Sequence, residues 1–564
     1  MAVPFCSCSL SKMDSSDTSS SSESSEENET ADTTEEDEEK ETTEEPEITT
    51  SSADDEVKEE DENSGERPDF VIEKDSADLE QVREHARQLL DDLKVSENEE
   101  NIQKDIDLLL DDMDIVYETS SKLMIPYYLD WNNEKLEAEY DDSFENVYIT
   151  NSLITYAFIK GKQSEEYSYM FGDLILDNVD VEAFDDPSLT LKKLEGYTRV
   201  EYTLMDEQLD EYHDIAYDED MDEDEKAERC AEIYLDLLSQ YDAETFYDEY
   251  FRDYTGDEIL ELSKTIREEI LPVSDDLLNA FFKCDGATDV IYKPKEFDDP
   301  FEVIKEYAPK LSKEIGDAAD VLVKNKLYTI ASGNDCYDGS FTDNLPVSDS
   351  AHIYIYDDED YNALLTPVHE FGHYYATFYD DIPTYLSTSN LDIAETQSQG
   401  FEFLFMQFYD DIYGDQAEAM KVVKTYDMLY AVITGFFVGE FEYKVLKNKD
   451  TYTPEDVINC WDEIMGDYLP GVGFYEINHI FETPGYYISY GVSALAAFDI
   501  WEDCLYDPDA ALEKYERVVR ISCNDSDYQF RSAMKKAGFS EVLNKKYIKT
   551  LADELSVYAS EIGE

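Results

Sequence analysis

Apolar residues recur at three- and four-residue spacing along most of this chain, which predicts one helix after another. Leu79 to Leu93 and Ile102 to Tyr117 each carry such a stripe against an acidic face. Lys226 to Tyr241 and Asp257 to Ile270 repeat the pattern. Further helices are predicted over Leu391 to Tyr413, Ala417 to Leu446, Tyr487 to Cys504 and Lys545 to Ser560. Near Leu327 the texture changes. Ala331 to Asn344 is rich in Gly, Asn, Asp and Ser and reads as loop. Ala351-His352-Ile353-Tyr354-Ile355-Tyr356 is built from β-formers and reads as a short strand, followed by an acidic turn over Asp357 to Asp360. Only 21 glycines occur in 564 residues, which also favours helices over sheets. The pattern predicts a mainly α protein with a small β element ahead of its C-terminal helices.

The first part of the chain departs from this periodicity. Asp14 to Glu66 is Ser, Thr, Asp and Glu, with no aromatic residue and few apolar ones. Such a segment cannot bury a core, so residues 1–66 are expected to form a disordered acidic tether. A helical N-terminal region is assigned to 67–330, and a region carrying the chemistry to 331–564. With 42% hydrophobic residues there is ample material for a large core. The net charge of −95 repels phosphate backbones, which argues against nucleic acid as a partner. None of the eight cysteines forms a CxxC pair, which argues against a cysteine-built zinc site. No run of about 18 apolar residues occurs, so no transmembrane helix is predicted.

The candidate chemistry lies at 365–376, Leu-Thr-Pro-Val-His-Glu-Phe-Gly-His-Tyr-Tyr-Ala. On a helix, His369 and His373 share one face, so two imidazoles can reach one metal. Glu370 lies beside them, placed to take a proton from a metal-bound water. With 6 histidines in the chain, this HExxH pattern arises by chance about one time in a hundred. A third histidine in the long form HExxHxxGxxH is excluded, because Ala376 and Tyr379 stand where Gly and His are needed. The alternative third ligand is a carboxylate on a second helix, and Glu395 fits. Asp392, Glu395, Gln399 and Glu402 form a polar stripe among Phe401, Phe403, Leu404, Phe405 and Met406. Carboxylates buried on such a helix need a cation or hydrogen-bond partners, and Asp392 and Glu402 are candidates to orient the ligand imidazoles from behind.

With HEFGH followed by Ala394-Glu395-x-x-Ser398-x-x-x-Glu402, the chain resembles the oligoendopeptidase F and thimet oligopeptidase family of zinc metallopeptidases. A third block agrees: His479, then Gly485-Tyr486-Tyr487-Ile488-Ser489-Tyr490-Gly491-Val492-Ser493. These motifs span about Tyr337 to Ser493; elsewhere the likeness is one of helical pattern alone. The sequence departs from many relatives at Tyr374-Tyr375-Ala376, where they carry another histidine. The resemblance implies a helical, ellipsoidal, two-lobed fold with a deep substrate channel and a small β-sheet beside the active site. It implies one Zn2+ per chain on His369, His373 and Glu395, and internal cleavage of short unfolded peptides with Glu370 as general base. His479, Tyr487 and Tyr490 would supply donors to the oxyanion. Gly339 and Tyr486 would contact substrate. His352 reads as structural or substrate-lining rather than catalytic, and His85 and His213 lie in charged helices that need no function. The rival expectations are a surface peptide-binding protein with impaired catalysis and an aminopeptidase- or thermolysin-like enzyme.

Met1 to Leu10, Met-Ala-Val-Pro-Phe-Cys-Ser-Cys-Ser-Leu, resembles the end of a bacterial lipoprotein signal. That implies a lipid anchor through Cys6 or Cys8 and a place at the cell surface, the alternative being a cytoplasmic protein.

Overall fold

The structure is a computed structural model that describes residues 79–562, apart from 173, 175–183, 185, 219–220, 334, 358–359 and 467. The expected acidic tether over residues 1–66 and its Cys6 and Cys8 anchor positions lie outside the described residues.

Helices α1 (Leu79–Asp92), α2 (Glu99–Leu129) and α3 (Glu134–Lys162) pack around their own core with the start of α4 (Leu191–Ala216). In α2, Ile102, Ile106, Leu109, Met113 and Val116 recur at helical spacing and are all buried there. This helix runs well past Tyr117 and through Pro126, continuing to Leu129. Next come α5 (Glu223–Leu238), α6 (Gly256–Glu269), α7 (Leu271–Phe281), α8 (Ala287–Tyr292), α9 (Pro300–Tyr307) and α10 (Lys313–Asn325). The start of α6 is fixed by a reciprocal cap: the Thr255 hydroxyl accepts from the Glu258 N–H, and the Glu258 carboxylate accepts from the Thr255 N–H. Helices α5–α10 share one hydrophobic core with the C-terminal half of the chain.

The sheet has three strands in the order β1 (Tyr328–Ala331), β3 (Ser350–Tyr356), β2 (Phe341–Leu345). β1 runs parallel to β3, and β2 antiparallel to it. The strand predicted over Ala351–Tyr356 lies within β3. The loop predicted over Ala331–Asn344 needs correction, because its last four residues belong to β2. Asp343 and Asn344 are poor strand formers by themselves. Pairing with β3 overrides that preference and buries Phe341, Asp343 and Leu345. Successive residues face opposite sides of a sheet. Ala351, Ile353 and Ile355 therefore pack on the large core, while Phe341 and Tyr354 pack with Met124 of α2.

The remaining helices are α11 (Leu365–Thr377), α12 (Leu391–Phe405), α13 (Tyr409–Tyr413), α14 (Ala417–Asn448), α15 (Pro454–Met465), α16 (His479–Glu482), α17 (Ile488–Tyr506), α18 (Pro508–Val519), α19 (Phe530–Ala537) and α20 (Lys545–Glu561). The single helix predicted over Leu391–Tyr413 is broken by a 3-10 turn at Met406–Phe408. By length and composition, the helical stretch Leu391–Asn448 passes as a membrane span, which the sequence pattern did not predict. Its most apolar window is 72% buried inside the protein, as the central helices of a folded core are. The architecture is mainly α, with one small sheet against α11.

Candidate metal centre

Two helices that cross closely build the site. α12 starts at Asn390, whose side chain accepts from the Ile393 N–H and so caps the helix one turn before Glu395. α11 lies across it with Gly372 at the crossing. A Cβ at Gly372 would sit 2.6 Å from the Ser398 Cα, so any larger residue would push the helices apart. The close approach brings His369, His373 and Glu395 together, with one donor atom from each within 4.8 Å of the others. His369 Nε2 lies 3.4 Å, and His373 Nε2 3.7 Å, from Glu395 Oε2.

The residues behind these donors are specific. Glu402 Oε1 lies 2.9 Å from His369 Nδ1, an arrangement that fixes the ring and leaves Nε2 for the front of the site. The other Glu402 oxygen pairs with Lys424 of α14. Glu395 Oε1 accepts from the Tyr486 hydroxyl at 3.2 Å, and Oε2 from the Ser398 hydroxyl at 3.2 Å.

Electrostatics fit a cation. Glu395 is 1% exposed, and burial alone would raise its pKa; His369 and His373 outweigh that and bring it down to about 2. Burial likewise opposes a charge on His369, but its contacts with Glu395 and Glu402 hold it up at about 10. Burial depresses His373 to about 4. A buried carboxylate here draws one positive charge to its two imidazoles. The buried His369 Nε2 makes no hydrogen bond, although the other two donor atoms lie within 4.8 Å of it. Two imidazole nitrogens and one carboxylate oxygen are the donor set of an open zinc site, so these residues fit that ion.

Glu370 is fully buried beside the donors. Its Oε2 accepts from the Thr342 hydroxyl at 2.8 Å, and the same hydroxyl lies 3.0 Å from the Glu370 carbonyl oxygen. Thr342 was hidden in the span read as loop; the one signal for it was the spacing of Phe341 and Leu345 on either side. A small cleft opens beside His373, between Thr342 and Asn344 of β2, Ala376 and Thr377 of α11, and Cys523.

The aromatic block is gathered as well. His479 ring centroids lie 5.1 Å from Tyr486, 5.8 Å from Tyr487 and 6.0 Å from Tyr490. Tyr487 and Tyr490 are 5.4 Å apart. Through the Tyr486–Glu395 bond this block borders the donor cluster. Two expectations change. Tyr486, expected at the substrate, gives its hydroxyl to Glu395. Asp392, expected behind an imidazole, turns instead to Arg252, with Oδ1 at 3.3 Å from Nε. His352 sits on the sheet face opposite Thr342, with Nε2 at 2.9 Å from the Thr329 hydroxyl, and burial depresses its pKa to about 4. It belongs to the sheet rather than to the metal cluster. Gly339 lies just before β2, packed against the Tyr337 ring.

No family model matches the sequence, and no curated protein does. Solved structures match its fold. PZ peptidase A, solved with an inhibitor, aligns over 89% of this chain and 99% of its own, with a TM-score of 0.69 at 17% identity. A structure provisionally named oligoendopeptidase F aligns over 89% and 98%, with a TM-score of 0.69 at 17% identity. Another so named, from Bacillus anthracis str. Ames, aligns over 87% and 98%, with a TM-score of 0.68 at 14% identity. The chain has the mainly α fold of these oligoendopeptidase F and PZ peptidase structures. At such identities the likeness establishes the fold, and the site must carry the chemistry.

Proposed function

We propose that this protein is a zinc-dependent oligoendopeptidase that hydrolyses internal bonds of short, unfolded peptides. The observation that carries the reading is the cluster of His369, His373 and Glu395, with Glu370 held beside it by Thr342. A zinc ion bound to those three supplies Lewis acidity, polarising a carbonyl and making water acidic enough to attack near neutral pH. Glu370 takes the proton of the attacking water and returns it to the leaving nitrogen. Tyr490, Tyr487 and His479 offer O–H and N–H groups to the oxyanion of the tetrahedral intermediate. Glu402 keeps the His369 ring oriented, and Tyr486 does the same for the Glu395 carboxylate. The complete donor set with its adjacent base favours an enzyme over a peptide-binding protein. The charge of −95 favours cationic or neutral peptides in the encounter.

The test is made on the full chain. Elemental analysis should find one zinc per chain, and an internally quenched peptide should be cut at an internal bond. A chelator should abolish the cleavage and added zinc restore it. No stoichiometric zinc after reconstitution, or cleavage indifferent to chelation, would refute the reading.

A further inference from the structure

Gly485 is held at both faces of its backbone. Its N–H donates to Glu442 Oε1 at 2.7 Å, and its carbonyl accepts from Arg252 Nη1 at 2.7 Å. One residue earlier, the Pro484 carbonyl accepts from the Tyr250 hydroxyl. Gly485 has a φ of +88°, and a Cβ there would lie 2.8 Å from the Phe246 ring and 2.9 Å from that of Tyr250. The loop is therefore clamped where it enters the Tyr486–Tyr490 block.

Arg252 does more than hold this peptide. Its guanidinium is almost wholly buried, which a charge tolerates only when its donors are matched. Nη2 donates to the Ser489 hydroxyl in the first turn of α17, and Nε faces Asp392 at 3.3 Å. Asp392 stands one helical turn before Glu395, and Gly485 stands one residue before Tyr486. These are the two residues joined by the Tyr486–Glu395 hydrogen bond. One planar side chain thus braces both sides of that bond. The fork of an arginine can do this, whereas the single ammonium of a lysine cannot reach all three acceptors in the same geometry.

We infer that Arg252 is a positioning residue of the active site: through Gly485, Ser489 and Asp392 it sets the distance between the Glu395 turn and the donors His479, Tyr487 and Tyr490. Arg252 touches neither substrate nor reacting atoms. The inference rests on the peptidase reading for its effect on turnover, but not for its effect on the loop.

Arg252→Lys and Ser489→Ala, made separately in the full chain, test it. Arg252→Lys should keep one zinc and lower kcat about 10- to 100-fold, with KM changed less than about threefold, because misplaced donors cost the transition state alone. Ser489→Ala removes one of the three acceptors and should cost roughly 3- to 10-fold in kcat. Hydrogen exchange supplies a readout independent of activity. In zinc-free Arg252→Lys, amides over 485–490 should exchange about tenfold faster, with those of α11 unchanged. A purely structural arginine would instead loosen the fold evenly and leave kcat per zinc-loaded molecule near wild type. Normal kcat and normal exchange over 485–490 in Ser489→Ala would overturn the inference even if Arg252→Lys fails to fold. A wild type that cuts no peptide would defeat the peptidase reading instead, and exchange would still judge the brace.

Discussion

The proposed metal donors and the proposed oxyanion donors lie side by side but are held in place by different means. His369, His373 and Glu395 stand on two regular helices whose crossing is set by Gly372 against Ser398. Helical spacing alone aims the two imidazoles, and packing aims the carboxylate. His479 and its tyrosines stand on short α16, a loop and the first turn of α17. Nothing periodic fixes that loop, so side chains from elsewhere must: Tyr250, Arg252 and Glu442 all bind the backbone at 484–485. The half proposed to bind metal is rigid by construction, and the half proposed to meet developing charge is rigid only through its clamp. The first should survive most single substitutions behind it; the second should not.

The largest effect expected on the metal half is chemical rather than structural. Glu370→Gln removes the proposed base and none of the proposed ligands, so zinc should remain stoichiometric while kcat falls about 1,000-fold or more. Zinc analysis and single-peptide kinetics on the same sample decide it. Turnover near wild type would place the base elsewhere and break the comparison at its root. On the other half, Tyr490→Phe removes one hydroxyl that the proposed mechanism assigns to charge present only in the transition state. It should lower kcat about 100- to 1,000-fold with little change in KM. A lower melting temperature with kcat within about threefold of wild type would mean a packing tyrosine. The zinc assignment would stand in that case, since it rests on other residues.

The same division explains what the sequence made legible. HExxH and the carboxylate stripe of α12 are written locally, in spacings of three and four, and the aromatic block was legible through the family resemblance. Glu402 apart, their supports were not. Lys424, which pairs with Glu402, lies 22 residues on in another helix. Arg252, which takes Asp392, lies 140 residues before it. A buried carboxylate announces that it needs a partner, but nothing in the pattern says which cation the fold will deliver. β2 was missed for a related reason, because its strand state comes from pairing with β3 rather than from its own residues.

Thr342 sharpens the comparison because it supports the metal half from outside the two helices. Its hydroxyl donates to Glu370 Oε2 at 2.8 Å. Thr342→Val keeps the shape and removes that donor, so kcat should fall about tenfold with zinc content unchanged, and Thr342→Ser should restore most of it. Equal activity in the valine and serine variants would show that packing alone holds the base.

The smallest effect concerns Glu442, the clamp residue with the most perturbed proton affinity. Burial pushes its carboxyl up to about 8, against the pull of the Gly485 N–H and the Arg252 charge; the Tyr234 and Tyr247 hydroxyls are close enough for its charge to act on them. An acid whose folded pKa lies above its unfolded one is stabilising to keep protonated. Between about pH 4.5 and 8 the unfolded chain has released this proton and the folded one has not, so this group lowers stability as pH rises through that window. Glu442→Gln keeps an oxygen to accept from Gly485 and has no proton to lose. Its melting temperature should therefore gain on wild type by about 3 °C between pH 6 and 8.5 and level off above that range. A difference that stays flat with pH would mean the carboxyl is ionised throughout, paired with Arg252 as a plain ion pair. The clamp would then be a charge network that salt weakens and protonation breaks, instead of one built around a neutral acid.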